Sequence, residues 1–156
     1  MIMEQLQQAI EMRRDGSIED SIKVLESISD KNGRVYFECA WNYSVLDNAH
    51  EAIKYYELAI ELELSGELKR RAYMDLGFNY FALHRYKEAE QILYSGISEF
   101  QDSEAFRAML AVVHYKLGDS REGMTDLMQL LLELSSNPSK EIAKYRTELM
   151  HYVQQR

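Results

Sequence analysis

The sequence has little of what cross-links or interrupts a chain. Cys39 is the one cysteine in 156 residues, so the chain can form no disulfide within itself and a reducing compartment is expected. One proline and seven glycines leave few breakers, so helices can run long. No run of about 18 apolar residues occurs, so neither a membrane-spanning helix nor a membrane partner is expected. The first residues interleave Glu4, Glu11, Arg13 and Arg14 with apolar side chains. They lack the continuous apolar stretch of a signal peptide, and a cytoplasmic location is the expectation. Basic charge is also short. Eighteen Lys and Arg against 26 Asp and Glu leave a formal charge of −8, which argues against nucleic acid, whose phosphates need a basic face.

Residue sets that carry chemistry are missing as well. The four histidines, His50, His84, His114 and His151, contain no pair four apart and no His-Glu-x-x-His, so no metal site is expected. No glycine-rich loop suits a phosphate, and Cys39 has no basic neighbour along its own helix to activate a thiolate. We expect no catalytic residues and no cofactor: a protein that is not an enzyme.

What is present is a helical pattern. Hydrophobic residues make up 46% against 28% charged, enough to build a core. The apolar positions recur at three and four, as in Ile53, Tyr56, Ile60 and Leu64, or Leu110, Val113 and Leu117. Short polar clusters such as Asp15-Gly16-Ser17, Asp47-Asn48 and Gly118-Asp119-Ser120 divide the chain into nine expected helices.

The helices repeat. From Arg70 the chain places Tyr73, Leu76, Gly77 and Tyr80, then Tyr86, Ala89 and Leu93. The preceding unit has Tyr36, Cys39, Ala40 and Tyr43, then Ala52, Tyr56 and Ala59. Weaker copies flank them, with Ala9, Met12, Gly16, Ser21 and Leu25 before, and Leu110, Ala111, His114, Gly118, Gly123 and Leu127 after. The small residues Ala9, Ala40, Gly77 and Ala111 are 31, 37 and 34 residues apart. The pattern resembles the tetratricopeptide repeat (TPR), whose period is about 34 residues. The resemblance implies an all-α fold, a right-handed α-solenoid of four TPR-like helix hairpins plus a C-terminal capping helix. We expect one domain over 1–156, with repeats at about 2–32, 33–69, 70–103 and 104–137. The cap falls at about 138–154, where Ile142, Tyr145 and Leu149 form an apolar stripe. The small residues have a physical purpose, since two helices approach closely only where a side chain is small.

In the TPR family the first helix of each pair lines a concave side that takes ligands. The resemblance therefore implies a groove at Leu6, Ile10, Phe37, Trp41, Met74, Phe78, Ala108 and Val112, extended by Arg13, Ser44, Phe81 and Tyr115, with Arg34 and Arg71 at its edge. Aromatic and methionine side chains at these places suit a recognition surface. The expected partner is a protein or peptide segment, apolar or amphipathic, with Arg13, Arg34 and Arg71 offering contacts to a carboxylate. The rival expectations are a homo-oligomeric scaffold using the same surface, and internal packing of the aromatic stripe. The carboxylate clamp of co-chaperone TPR proteins is not expected, because its places hold Leu6, Ile10, Phe37, Trp41, Phe78 and Val112. The basic run Lys69-Arg70-Arg71 reads most simply as solvated charge.

Overall fold

The computed structural model describes residues 1–101 and 103–134. Among them are eight α-helices and no strand. They are α1 (Ile2–Arg14), α2 (Ile18–Ser27), α3 (Gly33–Val45), α4 (Ala49–Glu61), α5 (Gly66–Ala82), α6 (Tyr86–Glu99), α7 (Glu104–Lys116) and α8 (Ser120–Leu134). The expected ninth helix, at about 138–154, lies outside the described residues. The chain divides into two compact units, one from Met1 to Ile92 and one from Leu93 onward.

Local chemistry sets where the helices begin. Asn32 caps α3 by accepting a hydrogen bond from the Val35 backbone N–H at 3.1 Å, and Asn48 caps α4 through that of Glu51 at 3.3 Å. Their ends share one device. Gly16, Asp47, His84 and Gly118 all have φ between 54° and 90°, and they recur with the spacing of the small helix residues. After each, the next backbone N–H reaches back to a carbonyl five residues earlier: Ser17 to Met12 at 2.8 Å, Asn48 to Tyr43 at 2.9 Å, Arg85 to Tyr80 at 2.9 Å and Asp119 to His114 at 3.0 Å. This bond closes the last turn of the helix and reverses the chain, so one turn geometry makes four helix hairpins.

In the first unit, Leu6, Ala9, Leu25, Ile28, Val35 and Cys39 form a common core joining α1, α2 and α3. Ala9, Ala40, Ala52 and Ala89 are completely buried, as the close-approach argument requires. Ser21 fills the equivalent place in α2, and its Oγ donates to the Ala9 carbonyl at 2.6 Å. Burial pushes the Cys39 thiol up to about 12, assisted by the nearby Glu26 carboxylate, so the sulfur is an inert packing group.

In the second unit, Phe106, Ala111 and Val113 are fully buried. The α7 and α8 helices approach closely at Gly123, where a Cβ would stand 2.6 Å from the Ala111 carbonyl oxygen. His114 is buried, with Nδ1 3.1 Å from Asp126 Oδ2 and Nε2 3.4 Å from the Tyr94 hydroxyl.

Candidate functional site: the first-helix face of the first unit

Three helices of the first unit contribute one polar face. On α3, Arg34, Glu38, Trp41 and Val45 fall at intervals of four, three and four, a single helical stripe. On α5, Arg71, Asp75, Phe78 and Ala82 repeat that stripe 37 residues later. On α1, the last turn supplies Ile10, Arg13 and Arg14.

Glu38 organises the α1–α3 side. Its side chain is 1% exposed, and it accepts from Arg34 Nε on Oε1 at 2.8 Å. Arg34 Nη2 lies 2.8 Å from the same oxygen. Oε2 makes no aligned hydrogen bond but lies 2.7 Å from Arg13 Nη2, a close ion pair. Arg13 also donates from Nη1 to Asn42 Oδ1 at 3.3 Å, and Asn42 Nδ2 donates to Ser21 Oγ at 2.8 Å. A continuous polar chain therefore runs through α1, α2 and α3. A buried carboxylate is tolerable only with such partners.

Asp75 holds the matching place on α5. It accepts from Arg71 Nε at 3.2 Å and from the Tyr56 hydroxyl at 3.0 Å. Burial raises its carboxyl above the ordinary value, and Arg71 and Tyr56 only partly offset this. Asn79 bridges α5 to α3 by donating to Ser44 Oγ at 3.0 Å.

Trp41 stands between the two networks. The guanidinium carbon of Arg13 is 3.8 Å from the indole ring centre and that of Arg71 is 3.6 Å away. Two guanidinium groups this close to one ring cannot share a side of it, so they cover opposite faces. Each gains from the negative π-face while turning its edge N–H groups to a carboxylate. A hollow of 440 Å³ opens on the α1 side, lined by Ile10, Arg13, Arg14, Arg34, Glu38 and Trp41. Another of 330 Å³ opens on the α5 side, lined by Trp41, Val45, Arg71, Asp75, Phe78 and Ala82 among others. The Arg–Trp–Arg stack is the wall between them.

The expected site residues separate into distinct groups. Ile10, Arg34, Trp41, Arg71 and Phe78 line these hollows, Phe78 being 50% exposed. Leu6 and Phe37 do not belong to the surface. Leu6 sits in the core with Ala9 and Leu25, and Phe37 is wholly buried, edge-on to Trp41 and Tyr56. In the first two repeats the place three residues before the small residue turns towards neighbouring helices rather than outward. Arg13 lines the α1-side hollow, but it is not an open contact for a ligand. Its side chain is 8% exposed, with its charge spent on Glu38 and its face on Trp41. Met74 and Phe81 are half-buried, Phe81 edge-on to Tyr86. Val112 and Tyr115 are exposed on α7 of the second unit. Sequence reasoning missed Glu38, Asn42, Asp75 and Asn79. Their signal was register, since Glu38 matches Asp75 and Asn42 matches Asn79 at the same 37-residue step as Ala40 and Gly77.

The profile of the tetratricopeptide repeat family matches residues 33–65, which hold α3 and α4. That segment is therefore a tetratricopeptide repeat. Solved structures show the same fold. A MamA protein is 18% identical with a TM-score of 0.74, over 92% of this chain and 76% of that one. A second MamA structure gives 16% and 0.76, over 92% and 78%. A Podosopora anserina protein of the kinesin light chain kind, with nearly identical TPR-like repeats, gives 15% and 0.70, over 97% and 92%. No curated relative matches the sequence. The all-α class of the TPR-like solenoids is thus the fold of this chain. TPR folds generally mediate protein–protein interaction and are typically non-catalytic. No described helix is long and apolar enough to cross a membrane.

Proposed function

We propose that this protein is a non-enzymatic interaction module that binds an apolar or amphipathic segment of another protein across the α1–α3–α5 face of its first unit. The observation that carries this reading is the pair of hollows on either side of Trp41. Each is bounded by partly exposed apolar side chains, Ile10 and Val45 on one side and Val45 and Phe78 on the other. Apolar anchors surrounded by polar groups that hold their positions are the usual make-up of a protein recognition site. The buried ion pairs fix the walls before any partner arrives, which reduces the ordering cost of binding.

Selection of random peptides on the immobilised protein tests this reading. The expected outcome is enrichment of segments with recurring apolar residues, whose binding weakens about tenfold or more in Phe78→Ala, a loss of the size seen at interface anchors. The helical circular dichroism of the variant should match the parent. If selected peptides bind Phe78→Ala unchanged, the face is not the site. If the protein sediments as a dimer that Phe78→Ala dissociates, the face serves self-association instead.

A further inference from the structure

The two hollows differ in charge, and the difference defines what kind of segment they fit. The α1-side hollow is lined by three cations, Arg13, Arg14 and Arg34, and one anion, Glu38, a formal balance of +2 on a chain whose total is −8. Arg14 is exposed. Arg34 is 40% exposed and commits Nε and Nη2 to Glu38. Among the described residues no acceptor meets its remaining N–H groups. The α5-side hollow balances Arg71 against Asp75, and its other walls include the apolar Val45, Phe78 and Ala82.

We propose that the first hollow takes the side-chain carboxylate of an acidic residue, held by Arg14 and Arg34, while the second takes an apolar side chain of the same segment against Phe78. This specifies the ligand of the face proposed above and rests on that reading. Charge complementarity commits the first hollow to an acid. A second cation there would meet the Arg14 and Arg34 charges, and an apolar group would strand the unpaired guanidinium N–H groups. A guanidinium fork matches a planar carboxylate geometrically. Packed helices lie about 8–10 Å apart, which an extended chain crosses in about three residues. A segment in the polyproline II form, which repeats every three residues and rises about 3.1 Å per residue, therefore presents an acidic and an apolar residue three positions apart to this one face. The carboxylate belongs to a side chain, so the site is indifferent to a free C-terminus.

The probe is a short dye-labelled peptide, acetylated and amidated, with glutamate and leucine three residues apart, read by fluorescence anisotropy on the full chain. The expected result is saturable binding that weakens as salt rises, since exposed charge pairs are screened. The peptide with glutamine for glutamate should bind about tenfold more weakly. Arg14→Gln and Arg34→Gln should each lose about the same factor on the glutamate peptide and nothing on the glutamine peptide. Arg14→Gln is the safer variant, because Arg14 is exposed. Phe78→Ala should weaken both peptides alike. Equal binding of the glutamate and glutamine peptides would overturn the acidic assignment while leaving an apolar binding face intact. Failure of the folded parent to bind the glutamate peptide overturns it too. Insensitivity of every peptide to Phe78→Ala would remove the face itself.

Discussion

Arg71 places its guanidinium carbon 3.6 Å from the centre of the Trp41 ring, on the side opposite Arg13. The contact joins the second repeat to the third, and it leaves the indole only its edge to offer a ligand. The same arginine donates to Asp75, so one side chain braces the wall between two hollows and balances a part-buried acid. The face is consequently braced by ion pairs and ring contacts rather than being an open apolar trough.

Glu38 should be far more important to stability than its visible partner Arg34. Glu38→Gln leaves Arg13 as a buried, unbalanced charge and should cost about 3–5 kcal/mol. Arg34→Gln removes a half-exposed partner and should cost about 1 kcal/mol or less. Urea unfolding of the two variants, with unchanged m-values, checks the contrast.

The repeated turn gives a prediction of opposite sign. Asp47 adopts φ 54°, in a place where Gly16 and Gly118 stand in the flanking copies. Asp47→Gly should stabilise by about 0.5–1 kcal/mol, because glycine enters the left-handed region without steric cost. Gly123→Ala should destabilise by about 1–3 kcal/mol, since the new Cβ would meet the Ala111 carbonyl at 2.6 Å. Thermal unfolding of both variants measures the two effects.

Asp75 predicts an unusual acid response. Its carboxyl is raised in the folded protein, chiefly by burial, above the value of 3.8 expected when unfolded. The native state therefore binds a proton on Asp75 at a pH where the unfolded chain has released it. Its contribution to stability is greatest below 3.8 and is lost as pH rises through the raised value. Relative to Asp75→Asn, the parent should gain stability as pH falls across that window, as urea midpoints at several pH values would show. A parent that loses ground to Asp75→Asn on acidification would contradict the burial argument.

The thiol is predicted to be silent. Burial holds Cys39 at about 12, so it should stay unmodified by a thiol reagent at pH 8 until the protein unfolds. Timed mass spectrometry in rising urea should show labelling that follows the loss of helix.

The hairpins were legible in the sequence because they depend on local rules. Small residues at Ala9, Ala40, Gly77 and Ala111 and polar breaks at Gly16, Asp47 and Gly118 mark them directly. The site was legible only in part. Repeat register located Trp41, Phe78, Arg34 and Arg71, but register alone does not distinguish a surface place from one covered by the adjacent helix pair, as Leu6 and Phe37 demonstrate. Nor could it show that Arg13 is consumed within the fold, because Glu38 reaches it only once α1 and α3 are packed. Acidic residues within a helix look like solvated charge until their partners arrive from other helices.

Trp41 is the sole tryptophan, and its indole N–H should give a single resolved peak in a ¹H–¹⁵N spectrum. Following that peak while a selected peptide is titrated in tests the binding face most directly, because Trp41 forms the wall between both hollows. The account predicts a saturable shift with the same affinity as the binding curve, abolished in Phe78→Ala. Saturation of the protein by peptide with the indole peak unmoved would contradict it.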